Sequence, residues 1–104
     1  MNIQLKLNPS FNLSKLIPGY RKQIDDIDEQ IINLLEKRNK LSNKIGECKK
    51  SLNEEVTDNN REYEILIRLS DKKKNIYNSE LIKIYREIFV MSKRIQKNSK
   101  KFTL

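Results

Sequence analysis

From Tyr20 onward the apolar positions step by three and four in alternation: Ile24, Ile27, Ile31, Leu34, Leu41, Ile45, Cys48 and Leu52. That is the spacing of a heptad seam along one helix. One slot of the seam, between Leu34 and Leu41, holds Arg38 instead. Ile32 and Leu35 widen the apolar face. Pro18-Gly19 punctuates the chain just ahead of the seam, and proline near a helix start is favourable. The pattern predicts a first helix from about Pro18 to Leu52, roughly 50 Å long at ~1.5 Å per residue. Residues 1–17 carry Asn8-Pro9-Ser10 and no sustained period. They read as an N-terminal arm, flexible or partly ordered, ahead of one domain over residues 18–104.

The stretch "NEEVTDNNRE" breaks the period. Asp58 or Asn59 can cap a second helix there, and Asn59 with Glu62 has capping-box spacing. Ile65, Leu66 and Leu69 give that helix an apolar side, and it runs out in "DKKKN", where lysines suit a helix C-terminus. Asn78-Ser79 can cap a third helix, striped by Leu81, Ile84, Tyr85, Ile88, Phe89, Met91 and Ile95. The fold class is therefore all-α, with one long helix and two shorter ones. Two helices of roughly 16 and 20 residues cannot cover every side of a ~50 Å rod. A second copy of the chain is the economical cover, so the expected assembly is an intertwined homodimer.

Composition narrows the chemistry. The 104 residues fit one domain, and 37% hydrophobic with 35% charged residues, two Gly and two Pro suits a helical protein. The net charge of +8 suggests an anionic partner, although a lysine-rich surface without any partner explains it equally well. There is no histidine and one cysteine, Cys48. An internal disulfide, a His/Cys metal site and a histidine-based triad are excluded, and the cysteine usage fits a reducing compartment. No stretch has the length of a signal peptide's apolar run or of a membrane span. The expected location is the cytoplasm.

Several polar residues stand where a plain surface would not put them. Arg38 in the seam must meet an anion or an aqueous cavity, unless it snorkels out or sets coiled-coil register. Lys49 follows eleven residues later, within about 20° of the same face and ~16 Å along the helix. Two basic side chains leaning together would leave room for a small dicarboxylate; alone, Lys49 reads as solvated. Arg61 stands in the first turn of the second helix, where its charge opposes the dipole, while Asp58 and Glu62 beside it suit that end as caps. Ser92 and Gln96 share a face one turn apart, or are simply a polar edge. Arg21 lies seventeen residues before Arg38, ~25 Å along the rod. It is a solvated arginine, or it reaches the ligand of Arg38 from a second subunit.

Together these residues carry a resemblance. The segments "YRKQIDDIDEQIINLLEKRNKLSNKIGECKK", "DNNRE" and "FVMSKRIQ" resemble the all-helical (type II) chorismate mutases. The similarity runs from about Tyr20 to Gln96. Its motifs are Arg-x2-Ile-Asp-x-Ile-Asp, Leu-Leu-x2-Arg, Ile-Gly-x2-Lys, Asp-x2-Arg-Glu and Ser-x3-Gln. The resemblance implies an isomerase that converts chorismate to prephenate in phenylalanine and tyrosine biosynthesis, by a pericyclic rearrangement without metal, cofactor or covalent intermediate. It implies a homodimer with shared sites, chorismate as the small-molecule partner, and neither nucleic acid nor membrane.

Carried over by residue, the resemblance implies that Arg38, with Arg21 from the partner subunit, binds the two substrate carboxylates. Lys49 binds a carboxylate and the ether oxygen, to which Gln96 also donates. Asp58 and Glu62 lie near the ring hydroxyl, Arg61 orders the loop and contacts the ligand, Ser92 assists a carboxylate, and Ile45 and Phe89 supply apolar wall. The connection "SLNEEV" brings Glu54 and Glu55 close to the site entrance. Charge builds on the ether oxygen in the transition state, so fixed donors stabilise it selectively, and no general base is required. The chain ends soon after the third helix, at "KKFTL", so a monofunctional enzyme is expected. An isochorismate-pyruvate lyase of the same fold is the nearest alternative. A non-enzymatic basic module for nucleic acid is the second, though basic residues on apolar stripes suit a phosphate backbone poorly.

Overall fold

The computed structural model describes residues 9–103, with side chains from Asn12 onward. Three helices are present and no strand among the described residues: α1 (Pro9–Leu52), α2 (Asn59–Lys72) and α3 (Asn78–Lys97). The all-α expectation and the helix count hold. By its contacts the chain divides into two compact units, Met1–Glu36 and Lys37–Leu104, with the boundary inside α1.

α1 begins at Pro9, nine residues ahead of the expected start at Pro18. Residues 1–8 of the expected arm lie outside the described residues, and residues 9–17 are helical. The reason is legible in hindsight. Leu13 and Ile17 extend the seam backwards from Tyr20 by the same four-and-three step. Pro9 sits at the first helical position, where its missing N–H costs nothing. Pro18 is inside the helix, where proline costs about 3 kcal/mol. That loss is local, and the helical spacing continues on both sides of it.

In the first unit the seam is open. Leu13, Ile17, Tyr20, Ile24, Ile27, Ile31 and Leu34 are all 46–62% exposed.

The second unit contains the core. α2 and α3 pack together, and Ile65, Leu81 and Phe89 are buried. Tyr85 meets Phe89 edge to face at 5.8 Å between ring centres. Asp58 caps α2, its Oδ1 accepting the Arg61 N–H at 3.0 Å. The expected cap of α3 at Asn78-Ser79 is displaced by one residue. Tyr77 is the N-cap, and Glu80 reaches back to accept the Tyr77 N–H at 2.9 Å. A carboxylate at the third helical position satisfies that donor without a hydroxyl or amide at the cap.

The last turns of α1 hold the end of α3. The Lys50 ammonium donates to the carbonyls of Lys97, at 3.2 Å, and Ser99, a favourable charge at a helix C-terminus. Ser99 is buried, and its hydroxyl meets the Asn43 side chain at 2.8 Å and the Ile95 carbonyl at 2.9 Å. α1 itself stops at Asn53, which adopts the left-handed conformation (φ 55°) that asparagine tolerates. The Glu54 N–H then closes on the Lys49 carbonyl at 2.8 Å. No described helix is long and apolar enough to cross a membrane.

Candidate functional site

The second unit encloses a cavity of about 330 Å³, a size that suits a small ligand. α1 lines it between Arg38 and Lys49, the connection adds Val56 and Asp58, α2 adds Arg61, Glu62 and Ile65, and α3 contributes between Phe89 and Gln96. Leu41, Ile45, Ile65 and Phe89 form the apolar wall.

Arg38 is half-buried and turns toward α3, where its Nη1 donates to the Ser92 hydroxyl. Ser42, one turn beyond Arg38, donates to the same oxygen at 3.2 Å. Ser42 and Ser92 are both buried. With both lone pairs of Ser92 accepting, its own proton remains to be donated. The charge in the seam is thus anchored across two helices.

Lys49, also half-buried, donates to the Val56 carbonyl at 3.0 Å. An ammonium has three protons, so two remain. Across the cavity, Gln96 Oε1 is buried and accepts no hydrogen bond. A half-turn of that amide exchanges its oxygen for the NH2 group, and either end offers an unpaired polar group to a ligand.

The carboxylates divide their work. Asp58 is occupied as the cap of α2. Glu62 Oε2 lies 3.4 Å from Lys93 Nζ. Arg61 lines the cavity with its side chain 58% exposed, and pairs at 3.5 Å with Glu64 of the next turn. Four cations, Arg38, Lys49, Arg61 and Lys93, face two carboxylates, Asp58 and Glu62, so the lining has a net charge of +2.

Arg38, Lys49, Asp58, Arg61, Glu62, Ser92 and Gln96 therefore all line one cavity. Arg21 does not; it lies exposed on α1 in the first unit. Glu54 and Glu55 are exposed, and Val56 is the residue of that connection that lines the cavity. Sequence reasoning missed Ser42 and Lys93. Ser42 was findable, one turn from Arg38 on the same face. Lys93 had no local signal, because its partner is on another helix.

Gly46 was read only as a motif letter, yet it sets the geometry. A methyl group there would lie 2.7 Å from Gln96 Cα and 2.9 Å from the Gln96 carbonyl oxygen. Only glycine lets α1 and α3 approach so closely beside Gln96. Gly46→Ala is expected to lower the melting temperature by roughly 5–10 °C, because backbone cannot yield as a side-chain tip does. Thermal unfolding by circular dichroism checks this, and the sign is telling: alanine is the better helix former by ~1 kcal/mol.

The cavity offers donors and charge, suited to grip an anion of fixed shape and to meet negative charge that develops within it. Comparison with known proteins gives this a context. The family described as "Chorismate mutase type II" matches residues 20–97. A bifunctional chorismate mutase/prephenate dehydratase of Aquifex aeolicus is 38% identical over 85 residues, covering 77% of this chain and 24% of that protein. The chain thus spans about a quarter of that relative's length. A chorismate mutase of Methanocaldococcus jannaschii is 34% identical over 79 residues, covering 74% of this chain and 80% of that protein. No solved structure matches the chain significantly.

Proposed function

Because the chain belongs to the type II chorismate mutase family, we propose that its cavity isomerises chorismate to prephenate in aromatic amino acid synthesis. The observation that carries this reading is the convergence of Arg38, Lys49, Ser92 and Gln96 on one cavity from two helices. The reaction is intramolecular: a C–O bond breaks as a C–C bond forms, with no proton gained or lost. The site must therefore select a conformation and stabilise charge.

Arg38 and Ser92 grip one carboxylate, Arg38 through the flat fork of its guanidinium. Lys49, with two protons beyond the one given to Val56, reaches a carboxylate and the ether oxygen. The NH2 of Gln96 donates to the same oxygen, after the half-turn of its amide where needed. These two donors gain strength as the C–O bond breaks, which lowers the barrier rather than merely tightening binding. Holding the flexible dianion in its folded, reactive shape removes part of the entropic barrier. Glu62 and Asp58 lie toward the ring hydroxyl, and Arg61 steadies their turn.

The second carboxylate falls to Arg21 of a second subunit in a homodimer. The exposed seam from Leu13 to Leu34 supports that assembly, since a contiguous apolar face of this length calls for cover. The cytoplasm is the proposed location.

Purified protein is expected to convert chorismate to prephenate. Release of pyruvate from isochorismate instead would replace the reading with the lyase. The shared site has its own test. Arg21→Ala and Arg38→Ala should each be inactive, yet co-refolded at equal amounts they should recover about one quarter of wild-type activity. Half of the dimers would be mixed, and each would hold one intact site of two. No recovery would show that Arg21 does not act from the partner.

A further inference from the structure

Lys93 stands at the cavity edge on α3, next to Ser92 and within one turn of Gln96. It has no part in the roles given above. Its ammonium is 3.4 Å from Glu62 Oε2, across the junction of α2 and α3. The two side chains are 31% and 25% exposed, whereas the Arg61–Glu64 pair beside them is 58% and 67% exposed. A half-sheltered pair interacts more strongly than one in open water. Arg61 cannot serve Glu62 in the same way, because neighbours in a helix do not face each other and Arg61 is turned to Glu64.

The charges give this pair a purpose. A cavity for a dicarboxylate should repel any carboxylate in its own wall. Asp58 is spent on the α2 cap. Glu62 is not capping, and unbalanced it would oppose the ligand. We propose that Lys93 is a positioning residue that neutralises Glu62, holding Oε2 and leaving Oε1 to accept the ring hydroxyl of the dianion. The lining thereby keeps its net +2 while still containing a hydroxyl acceptor. This rests on the chorismate mutase reading for the identity of the ligand, but the charge balance applies to any small dicarboxylate.

The test uses the full chain and three variants: Lys93→Met, Lys93→Arg, and the double Lys93→Met/Glu62→Gln. Two quantities are measured: kcat and KM for chorismate, and the calorimetric affinity for an oxabicyclic dicarboxylate analogue of the transition state. Circular dichroism checks that each variant folds. Lys93→Met should raise KM and weaken the analogue about tenfold, with kcat changed less than about threefold, because the hydroxyl's own bonds neither form nor break in the rearrangement, so its contact is uniform binding. Lys93→Arg should stay near wild type. The double should recover most of the loss, since glutamine is neutral and still accepts a hydrogen bond. A purely structural Lys93 would make the double worse than the single. A double no better than Lys93→Met, or a Lys93→Met that binds the analogue normally, overturns the proposal. Wild-type protein that binds the analogue but leaves chorismate unchanged overturns the activity reading instead.

Discussion

Arg38→Ala is expected to lower kcat/KM for chorismate by on the order of 1000-fold while helix content persists. The size follows from the environment of the guanidinium. Arg38 is half-buried, fixed by Ser92, and backed by apolar wall from Leu41 and Ile45. Truncating one partner of such a charge pair costs roughly 3–5 kcal/mol, because the ligand's carboxylate is left desolvated without its cation. The fold should survive, because Ser42 and Ser92 still satisfy each other at 3.2 Å and no core residue is touched. Arg38→Lys should recover only part of the loss, since an ammonium lacks the two-pronged fork. Steady-state kinetics alongside circular dichroism measure both halves. Activity within tenfold of wild type would remove Arg38 from the carboxylate site.

Gln96→Glu should make turnover depend steeply on acidity. At pH 8 a loss of on the order of 100–1000-fold is expected, the scale of removing one oxyanion donor. The amide donates; an ionised carboxylate cannot, and it repels the charge growing on the ether oxygen. Only the protonated carboxyl donates. Activity relative to wild type should therefore rise as pH falls toward the substituted carboxyl's pKa, and drop about tenfold per unit above it. Burial at the position of the unpaired Gln96 Oε1 raises that pKa, and the Lys49 and Arg38 charges oppose the rise. A kcat/KM profile from pH 5 to 8 decides it. A flat ratio to wild type would mean that the residue does not donate to the reacting oxygen.

What was legible in the sequence was what a single helix determines. The four-and-three step located the end of α1 at Leu52 and put Arg38 and Lys49 on one face, because helical spacing is local and fixed. Ser92 and Gln96 came together for the same reason. The start of α1 was misread because Pro18-Gly19 outweighed Leu13 and Ile17, a one-residue penalty set against a longer stripe. The α3 cap escaped because Glu80, not the cap residue, supplies the acceptor. Lys93 with Glu62, and Ser42 with Ser92, are partnerships between helices. Their register depends on packing, which no period along one strand of sequence encodes.

The close approach at Gly46 separates two things that most sites confuse. Beside Gln96 the main chain of α3 comes up against bare Gly46 of α1, so the approach of the two helices there does not rest on the side chains that line the cavity. Substitutions at Lys49, Glu62 or Lys93 would then alter the electrostatics of the cavity while leaving that approach of α1 and α3 in place. Such a scaffold can drift toward other small dianions one residue at a time, and a designer could follow the same route, provided position 46 stays bare.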